Sequence, residues 1–496
     1  VGLRARAMRL GDLLAGLGEA MEMEGEDVEV AGVAVDSRTV RPGDVFFALA
    51  ERPADRARHA REAIARGARA VVAAAEVDPA GATVVRSAGA RRLAGHAAAR
   101  LAGDPSAALS LVGVTGTNGK TTTTYLLEAI WRAAGAVPAV LGTIAYRLDG
   151  RARAAPLTTP DGATLQALLA EARAAGVTHV AMEVSSHALA QDRVAGCRFD
   201  AAVFTNLTRD HLDFHGDLDR YYAAKARLFL EHLPASGKPT PVAIVNVEDP
   251  AGARLADVVG VRCVRVARTA PADVTPEDVG TTLAGMQGVL RFGDKRVAFT
   301  CPLVGTPHLE NILCAAGAAW ALGVPVDTIA RGLATAVAPP GRLEQIAGPG
   351  FTVVVDYAHT PDALARALDV LRPLTPGRLI TVFGCGGDRD PGKRPMMGDA
   401  AARRSDVVIL TSDNPRTEDP RRILEDIERG VQAAGARAYH VEPDRRTAIA
   451  HALRAARRGD LVLVAGKGHE DYQIVGTEKR HLDDREEVRR VLGELA

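Results

Sequence analysis

At roughly 150 residues per domain, a chain of 496 residues is about three domains long, not one enlarged core. Its 61 Lys plus Arg balance 61 Asp plus Glu, so no global basic field draws it to nucleic acid or to an anionic membrane, and any anionic partner must be met locally. With 47% hydrophobic and 25% charged residues, it lies far from the composition of disordered chains and should bury large cores.

No apolar run of about 7–15 residues follows Val1 to Met8, so a secretory signal is not expected. A helix is predicted near Leu10 to Ala20, with strands at Val28 to Val35 and Asp44 to Leu49. Ala-rich helix and strand then alternate up to Gly103-Asp104-Pro105, giving a small α/β domain over 1–105. The apolar run Leu109 to Val114 reads as a strand leading through a Gly/Thr-rich turn into a helix after Gly119. Strands at Val177 to Val184, Ala201 to Leu207 and Pro241 to Val247 alternate with helical stretches, as in a mostly parallel sheet covered on both faces. Ile312 to Val326 is apolar but well short of the roughly 20 residues that span a bilayer, and reads as a buried helix and its exit. The breaker Ala338-Pro339-Pro340-Gly341 closes a second domain, 106–338.

The last segment, 339–496, reads as a second doubly wound sheet, with strands at Phe351 to Asp356, Arg378 to Phe383, Asp406 to Thr411, Arg437 to Val441 and Asp460 to Val464. Four of them run directly into polar or Gly-rich residues: Asp356 to His359, Gly384 to Arg389, Asp413 to Arg416, and Gly466 to Glu470. Open parallel sheets bind ligands along that carboxyl edge. Five scattered cysteines (Cys197, Cys263, Cys301, Cys314, Cys385), an odd number without any CxxC, fit a reducing cytoplasm better than a disulfide framework. Trp131 and Trp320 fall in apolar helical patterns and read as core.

Gly113-Val-Thr-Gly116-Thr117-Asn118-Gly119-Lys120-Thr121-Thr122 places glycines, a lysine and hydroxyls at a strand-to-helix junction, where backbone N–H groups can cradle phosphate oxygens. Lys120 is placed to reach the β/γ-phosphates and Thr121 to bind Mg²⁺, although the strict pattern wants Gly where Val114 stands. ATP is the ligand this pattern calls for.

Gly116 to Thr122, with Asp356 to Asp362, Gly384 to Arg394, Asp413 to Arg416 and Gly466 to Gln473, resembles the Mur ligases, over a stretch from about Met8 to the C-terminus. The resemblance implies an α/β fold in three domains: an N-terminal one for the UDP end of the substrate, a central P-loop ATPase sheet, and a C-terminal Rossmann-like doubly wound sheet for an amino acid. It also implies a cytoplasmic, monomeric enzyme of peptidoglycan synthesis. The implied substrates are UDP-N-acetylmuramoyl-L-alanyl-D-glutamate, meso-2,6-diaminopimelate and ATP, with Mg²⁺ and a CO₂-derived carbamate on Lys225. Neither nucleic acid nor membrane insertion is implied. Closure of the C-terminal domain would assemble the site. Met8 to Leu14 matches the family's first helix, so Val1 to Ala7 is expected to be an extension or a misassigned start.

By that resemblance Asn311 and Arg342 hold the nucleotide with the loop, and Lys120, Lys225 and Arg342 are catalytic. Glu183 and His211 join Thr121 and the modified Lys225 as metal ligands; spacing alone leaves the first two as ordinary polar residues beyond strand ends and Lys225 as a solvated helix lysine. The UDP substrate is assigned Val35, Ser37, Thr158, Thr159, Ser185, Gln191 and Arg193, whose groups suit diphosphate and carboxylate. Glu51 to His59 departs from the family pattern, and no contact is carried onto it. Diaminopimelate is assigned Arg389, Asp413, Asn414, Pro415, Arg416, Gly466 and Glu470. Arg416 selects it because a guanidinium can clamp a second carboxylate and repels the ammonium of lysine; as a residue by itself, Arg416 also reads as a surface ion-pair partner at a helix start. His359 reads as an ATP contact or a satisfied structural histidine. The competing readings are the lysine-adding enzyme of the family, a folate polyglutamate synthetase, and a non-catalytic nucleotide-gated module.

Overall fold

The structure is a computed structural model that describes residues 7–78, 81–148, 150–435 and 438–495. The chain forms two compact units. One takes the chain up to Glu277 with Val289–Phe299 and Glu310–Ala334; the other takes Asp278–Gly288, Thr300–Leu309 and everything from Thr335 on.

The first unit contains a two-stranded sheet, Met8–Arg9 with Glu29–Val30, and two larger sheets. A five-stranded sheet has the order Glu22–Glu24, Thr83–Arg86, Ala70–Ala73, Asp44–Ala48, Gly32–Ala34, with its last four strands parallel. Its faces are closed by separate apolar clusters, one around Leu10, Phe47 and Leu93 and the other around Phe46, Ala60 and Val71. The predicted first helix ends at Leu14, because Gly16 and Gly18 both take positive φ. The strand predicted over Val28 to Val35 is two short strands, Glu29–Val30 and Gly32–Ala34, each pairing in a different sheet. Residues 51–59 run into the helix Pro53–Ala65. Val1 to Arg6, most of the expected extension, lie outside the described residues.

In the larger sheet, Ser110–Thr115 lies between His179–Glu183 and Ala201–Phe204, flanked in turn by Pro138–Leu141 and Val242–Asn246, all parallel. Two antiparallel strands not expected from the apolar runs, Ala145–Leu148 and Arg151–Ala154, extend one edge. Both faces of the central strands are buried, which explains their continuous apolar runs. This order puts the carboxyl ends of three neighbouring strands, and hence Glu183, Gly116 and Thr205, side by side. Trp131 is fully buried and Trp320 half-buried against Phe292.

The second unit holds a sheet in the order Glu344–Ala347, Thr352–Asp356, Leu461–Ala465, Leu379–Phe383, Val407–Leu410, Tyr439–Val441, parallel except for the first strand. Arg437, where the fourth strand of this segment was expected to start, lies outside the described residues. Side-chain caps start its helices where the sequence places them: Thr360 accepts from Ala363 N with Pro361 next, and Asp419 accepts from Arg421 N with Pro420 next. Arg445 and Asp484, both fully buried, form an ion pair, and the guanidinium also donates to Ser412 O and Ala465 O. That pair ties the ends of two strands to the last helix, which steadies the loops beginning at Asp413 and Gly466. No helix among the described residues is long and apolar enough to cross a membrane.

Candidate active site

The loop after Ser110–Thr115 is held from behind by the neighbouring strand end. Thr205 Oγ1 donates to Asn118 O at 2.6 Å, Asn118 N to Asn206 Oδ1 at 2.9 Å, and Thr117 N to Asn206 O at 2.9 Å. Gly119 has φ +87°, and a Cβ there would sit 2.2 Å from Asn311 Oδ1, so only glycine lets the loop turn into the helix Lys120–Ala133 against that amide. Asn311, 4% exposed on the helix Thr306–Ala321, is therefore packed on the loop. Gly119→Ala should raise the KM for ATP about tenfold or more by strain and by pushing Asn311 away. Saturation kinetics check this, and an unchanged KM would remove Gly119 from the nucleotide site.

Lys120 Nζ donates to Gly116 O and Thr117 O, both at 2.9 Å, so the ammonium curls over the loop. Lys225 Nζ donates to the same Gly116 O at 2.7 Å. Its helix, Leu218–Arg227, is started by the Asp217 side chain on Arg220 N and runs on into a π-helical turn at Leu228–His232, a form often found at functional sites. Lys225 is 1% exposed, which overturns the solvated-lysine reading. Burial, then the nearby Lys120 charge, holds its ammonium well below its ordinary value.

Glu183 ends its strand 1% exposed and accepts from Thr121 Oγ1 (2.9 Å), Thr143 N (2.9 Å) and Thr143 Oγ1 (3.0 Å). His211 starts the short helix Leu212–His215 with φ +52°, its ring 4.8 Å from that of His187 and 6.2 Å from Tyr221. Partial burial, with the Lys120 and Lys225 charges, lowers its imidazole despite Asp210. No group of three His, Cys, Asp or Glu side chains among the described residues is arranged to hold a metal. Thr143, Thr205, Asn206 and Tyr221, whose hydroxyl lies 3.3 Å from Thr117 Oγ1, were not foreseen. Polar residues directly after an apolar strand were the signal for Thr205 and Asn206.

The UDP-substrate residues fall into two places. Thr159 Oγ1 donates to Glu183 O (2.9 Å) and accepts from Ser185 N (3.0 Å), Arg193 donates to Thr159 O (3.1 Å) and Gln191 Oε1 (2.6 and 3.0 Å), and Thr158 Oγ1 lies 3.1 Å from Thr143 Oγ1. Thr158, Thr159, Ser185, Gln191 and Arg193 thus form one network with Glu183. Val35 and Ser37 follow the edge strand Gly32–Ala34 of the five-stranded sheet, and Ser37 Oγ donates to Glu62 Oε2 at 2.8 Å.

In the second unit, Arg342 stacks on Tyr357 at 4.6 Å with its Nε buried and unpartnered among the described residues. His359 packs on Tyr357 at 4.6 Å and its Nδ1 lies 2.8 Å from Tyr357 O. Asp356 is raised by burial, against the opposing pull of Arg342 and three backbone N–H groups.

The amino-acid residues converge on the carboxyl edge of the same sheet. Asn414 Nδ2 donates to Glu470 Oε2 at 3.0 Å, and a Cβ on Gly466 would meet Asp413 Oδ2 at 2.9 Å. Arg416 has φ +52° and is held by the hydrogen bonds Arg416 N to Ile474 O (3.0 Å) and Gly476 N to Arg416 O (2.7 Å). Its guanidinium donates to Gly387 O at 2.7 Å, and it makes no ion pair among the described residues, which removes the helix-start reading. Arg389 is exposed; a Cβ on Gly386 would meet both Arg416 Nη1 (2.9 Å) and Arg389 Cγ (3.9 Å), so both arginines flank that glycine. Pro415 O is packed on Gly387. The edge thus carries the carboxylates of Asp413 and Glu470 and the guanidiniums of Arg389 and Arg416.

The sequence profile of the Mur ligase middle domain matches residues 114–319, and that of the Mur ligase glutamate ligase domain matches 341–468. The chain belongs to the Mur ligase family. A UDP-N-acetylmuramoyl-L-alanyl-D-glutamate–2,6-diaminopimelate ligase of Gloeobacter violaceus is 47% identical over 491 residues, covering 98% of each chain. One of the same name from Solibacter usitatus is 45% identical, also covering 98% of each. A solved structure of a ligase of that name superposes with a TM-score of 0.73 at 34% identity, covering 99% of each chain. The MurF ligase of Thermotoga maritima, solved in complex with ADP, shares the fold with a TM-score of 0.64 at 18% identity, covering 94% of this chain and 98% of its own.

Proposed function

We propose that this chain is the ATP-dependent ligase that joins meso-2,6-diaminopimelate to the D-glutamate of UDP-N-acetylmuramoyl-L-alanyl-D-glutamate, a cytoplasmic, monomeric enzyme of peptidoglycan synthesis. Three domains would serve three ligands: 1–105 the UDP end, 106–338 ATP and 339–496 the amino acid. The observation that carries the choice of amino acid is Arg416, its guanidinium unpaired by any described carboxylate on the same edge as Asp413, Asn414 and Glu470. Likeness over the full length to ligases named for diaminopimelate supports it.

A carboxylate is a poor electrophile, since its charge repels an amine and oxide is a poor leaving group. Transfer of the γ-phosphoryl group of ATP to the D-glutamate carboxylate forms an acyl phosphate and releases ADP. Attack by the amino group of diaminopimelate then forms the amide and expels phosphate, with a proton lost from nitrogen. The chain's task is positioning and charge neutralisation. Lys120 serves the phosphates, with Asn311, Arg342 and His359 as nucleotide contacts and Thr158, Thr159, Ser185, Gln191 and Arg193 as contacts to the UDP substrate.

The residues present offer donors for a metal, though no three acidic, His or Cys side chains among the described residues are gathered as its ligands, and a buried amine for a carbamate. Thr121 and Glu183 are oxygen donors already in contact, with His211 near Tyr221, while Lys225, which makes no ion pair among the described residues, is a buried amine close to the charge of Lys120. A neutral amine reacts with CO₂, and the product would replace the misplaced cation by an anion. Mg²⁺, when bound, neutralises phosphate charge.

Incubating the purified chain with ATP, Mg²⁺ and the UDP-muramoyl dipeptide, and offering diaminopimelate, lysine or ornithine in turn, tests the reading. Phosphate release and a new amide should appear with diaminopimelate. Faster turnover with lysine would transfer the chain to the lysine-adding branch, and ADP release indifferent to the amino acid would favour a nucleotide-gated module.

A further inference from the structure

Lys467 is a fully buried charge at the amino-acid edge, with a side chain 0% exposed. Its Nζ lies 3.3 Å from Glu470 Oε2, 3.3 Å from Asn414 Oδ1, 3.8 Å from Asp413 Oδ1 and 5.4 Å from the centre of the Tyr472 ring. An ammonium so enclosed is closed to solvent and to phosphate, so its partners are these protein groups. The same Glu470 Oε2 also accepts from Asn414 Nδ2, so this oxygen is doubly held; no described residue donates to Glu470 Oε1. Asn414 Oδ1 accepts from Ile474 N at 2.9 Å, and Ile474 O accepts from Arg416 N. One ammonium thereby anchors the acidic end of the site directly and, through Asn414 and two further hydrogen bonds, the Arg416 end.

The charge count gives this anchor a second consequence. Asp413 and Glu470 bring two negative charges and Lys467 one positive charge, while Arg445 is already matched by Asp484. One negative charge is left for a ligand ammonium. Without Lys467 the two carboxylates would repel each other, and Glu470 would keep only the Asn414 Nδ2 bond of the two that fix it.

We propose that Lys467 is a positioning residue for the amino-acid substrate: it orients Glu470 and Asn414 and sets the single excess negative charge that receives the substrate's ammonium. This rests on the activity proposed above.

The test is a titration of diaminopimelate and, separately, of ATP, for the wild type, Lys467→Met, Glu470→Gln, the double variant and Lys467→Arg. Loss of a charged hydrogen-bond anchor should raise the KM for diaminopimelate about tenfold or more in Lys467→Met, with the KM for ATP within about twofold. Because Lys467 acts partly through Glu470, Lys467→Met should add much less on the Glu470→Gln background than on the wild type, and Lys467→Arg should recover part of the loss. Additive effects, or an equal fall in every parameter without rescue by arginine, would overturn the role. If Lys467→Met does not fold, Lys467→Arg alone decides, since a displaced cation must still raise the diaminopimelate KM selectively. Wild type that releases no phosphate in response to any amino acid would sink the activity itself, whereas wild-type turnover with an unshifted KM in the variants sinks only the positioning role.

Discussion

Arg416→Ala is expected to lower kcat/KM for diaminopimelate by roughly 10²-fold, mostly through KM, and to leave the KM for ATP unchanged. The backbone at this position does not depend on the side chain: Ile474 O and Gly476 N hold it from both sides, and Arg416 pairs with Val475 in a single parallel bridge. Truncation therefore removes the guanidinium without collapsing the loop. The remaining bond, from Nη1 to Gly387 O, aims the group and is replaceable by water because the side chain is only half-buried. What the proposed function loses is the clamp on the second carboxylate, the one feature by which diaminopimelate differs from lysine. The preference between the two should shrink by a similar factor. An undiminished preference in the variant would show that the discrimination lies elsewhere, with Arg389 the next residue to remove.

The parts legible in the sequence are those in which chemistry and chain order coincide. Gly116 to Thr122 is one contiguous turn, and a strand before it and a helix after it were enough to place the loop. The C-terminal loops were legible for a similar reason: each starts at the end of an apolar strand or within three residues of it, so the alternation of run and loop marked the carboxyl edge of the sheet. Contacts between loops were not legible. Thr143 reaches Glu183 only because Pro138–Leu141 and His179–Glu183 are neighbours, which depends on strand order. The burial of Lys225 had a signal that composition hid. Tyr221, Ala224, Lys225 and Leu228 recur at the spacing of one helix face, and that face is the buried one. A lysine on an apolar stripe reads as an error of amphipathicity unless it has work there. Lys467 stood inside a quoted motif, but its enclosure comes from Asn414, Glu470 and Tyr472, which only the folded sheet brings around it. The first helix was overextended because an apolar period continues through Leu17, while two glycines at positive φ end it.

Lys225→Met is expected to reduce turnover by about 10³-fold or more while leaving the chain as resistant to unfolding as the wild type, or more so. The activity term follows from position. Lys225 and Lys120 donate to one carbonyl oxygen, Gly116 O, so any group on Lys225 lies at the phosphate loop itself. The stability term follows from burial. An ammonium 1% exposed, with one carbonyl acceptor and a Tyr221 ring at 4.4 Å, recovers only part of its lost hydration, and the neighbouring ammonium repels it. Methionine keeps the length of the side chain, fills the same space and carries no charge. In CO₂-stripped buffer without Mg²⁺ the variant should therefore gain about 1–2 kcal/mol in denaturant unfolding, since replacing a poorly compensated buried charge by an apolar group is commonly neutral or stabilising. Bicarbonate separates the two causes of its inactivity. Wild type stripped of CO₂ should lose turnover and regain it on adding bicarbonate, whereas the methionine variant should respond to neither. A variant that unfolds more easily and yet turns over normally would make Lys225 a structural lysine. One that is stable, inactive and indifferent to bicarbonate locates the cost of the buried amine in the chemistry it is kept for.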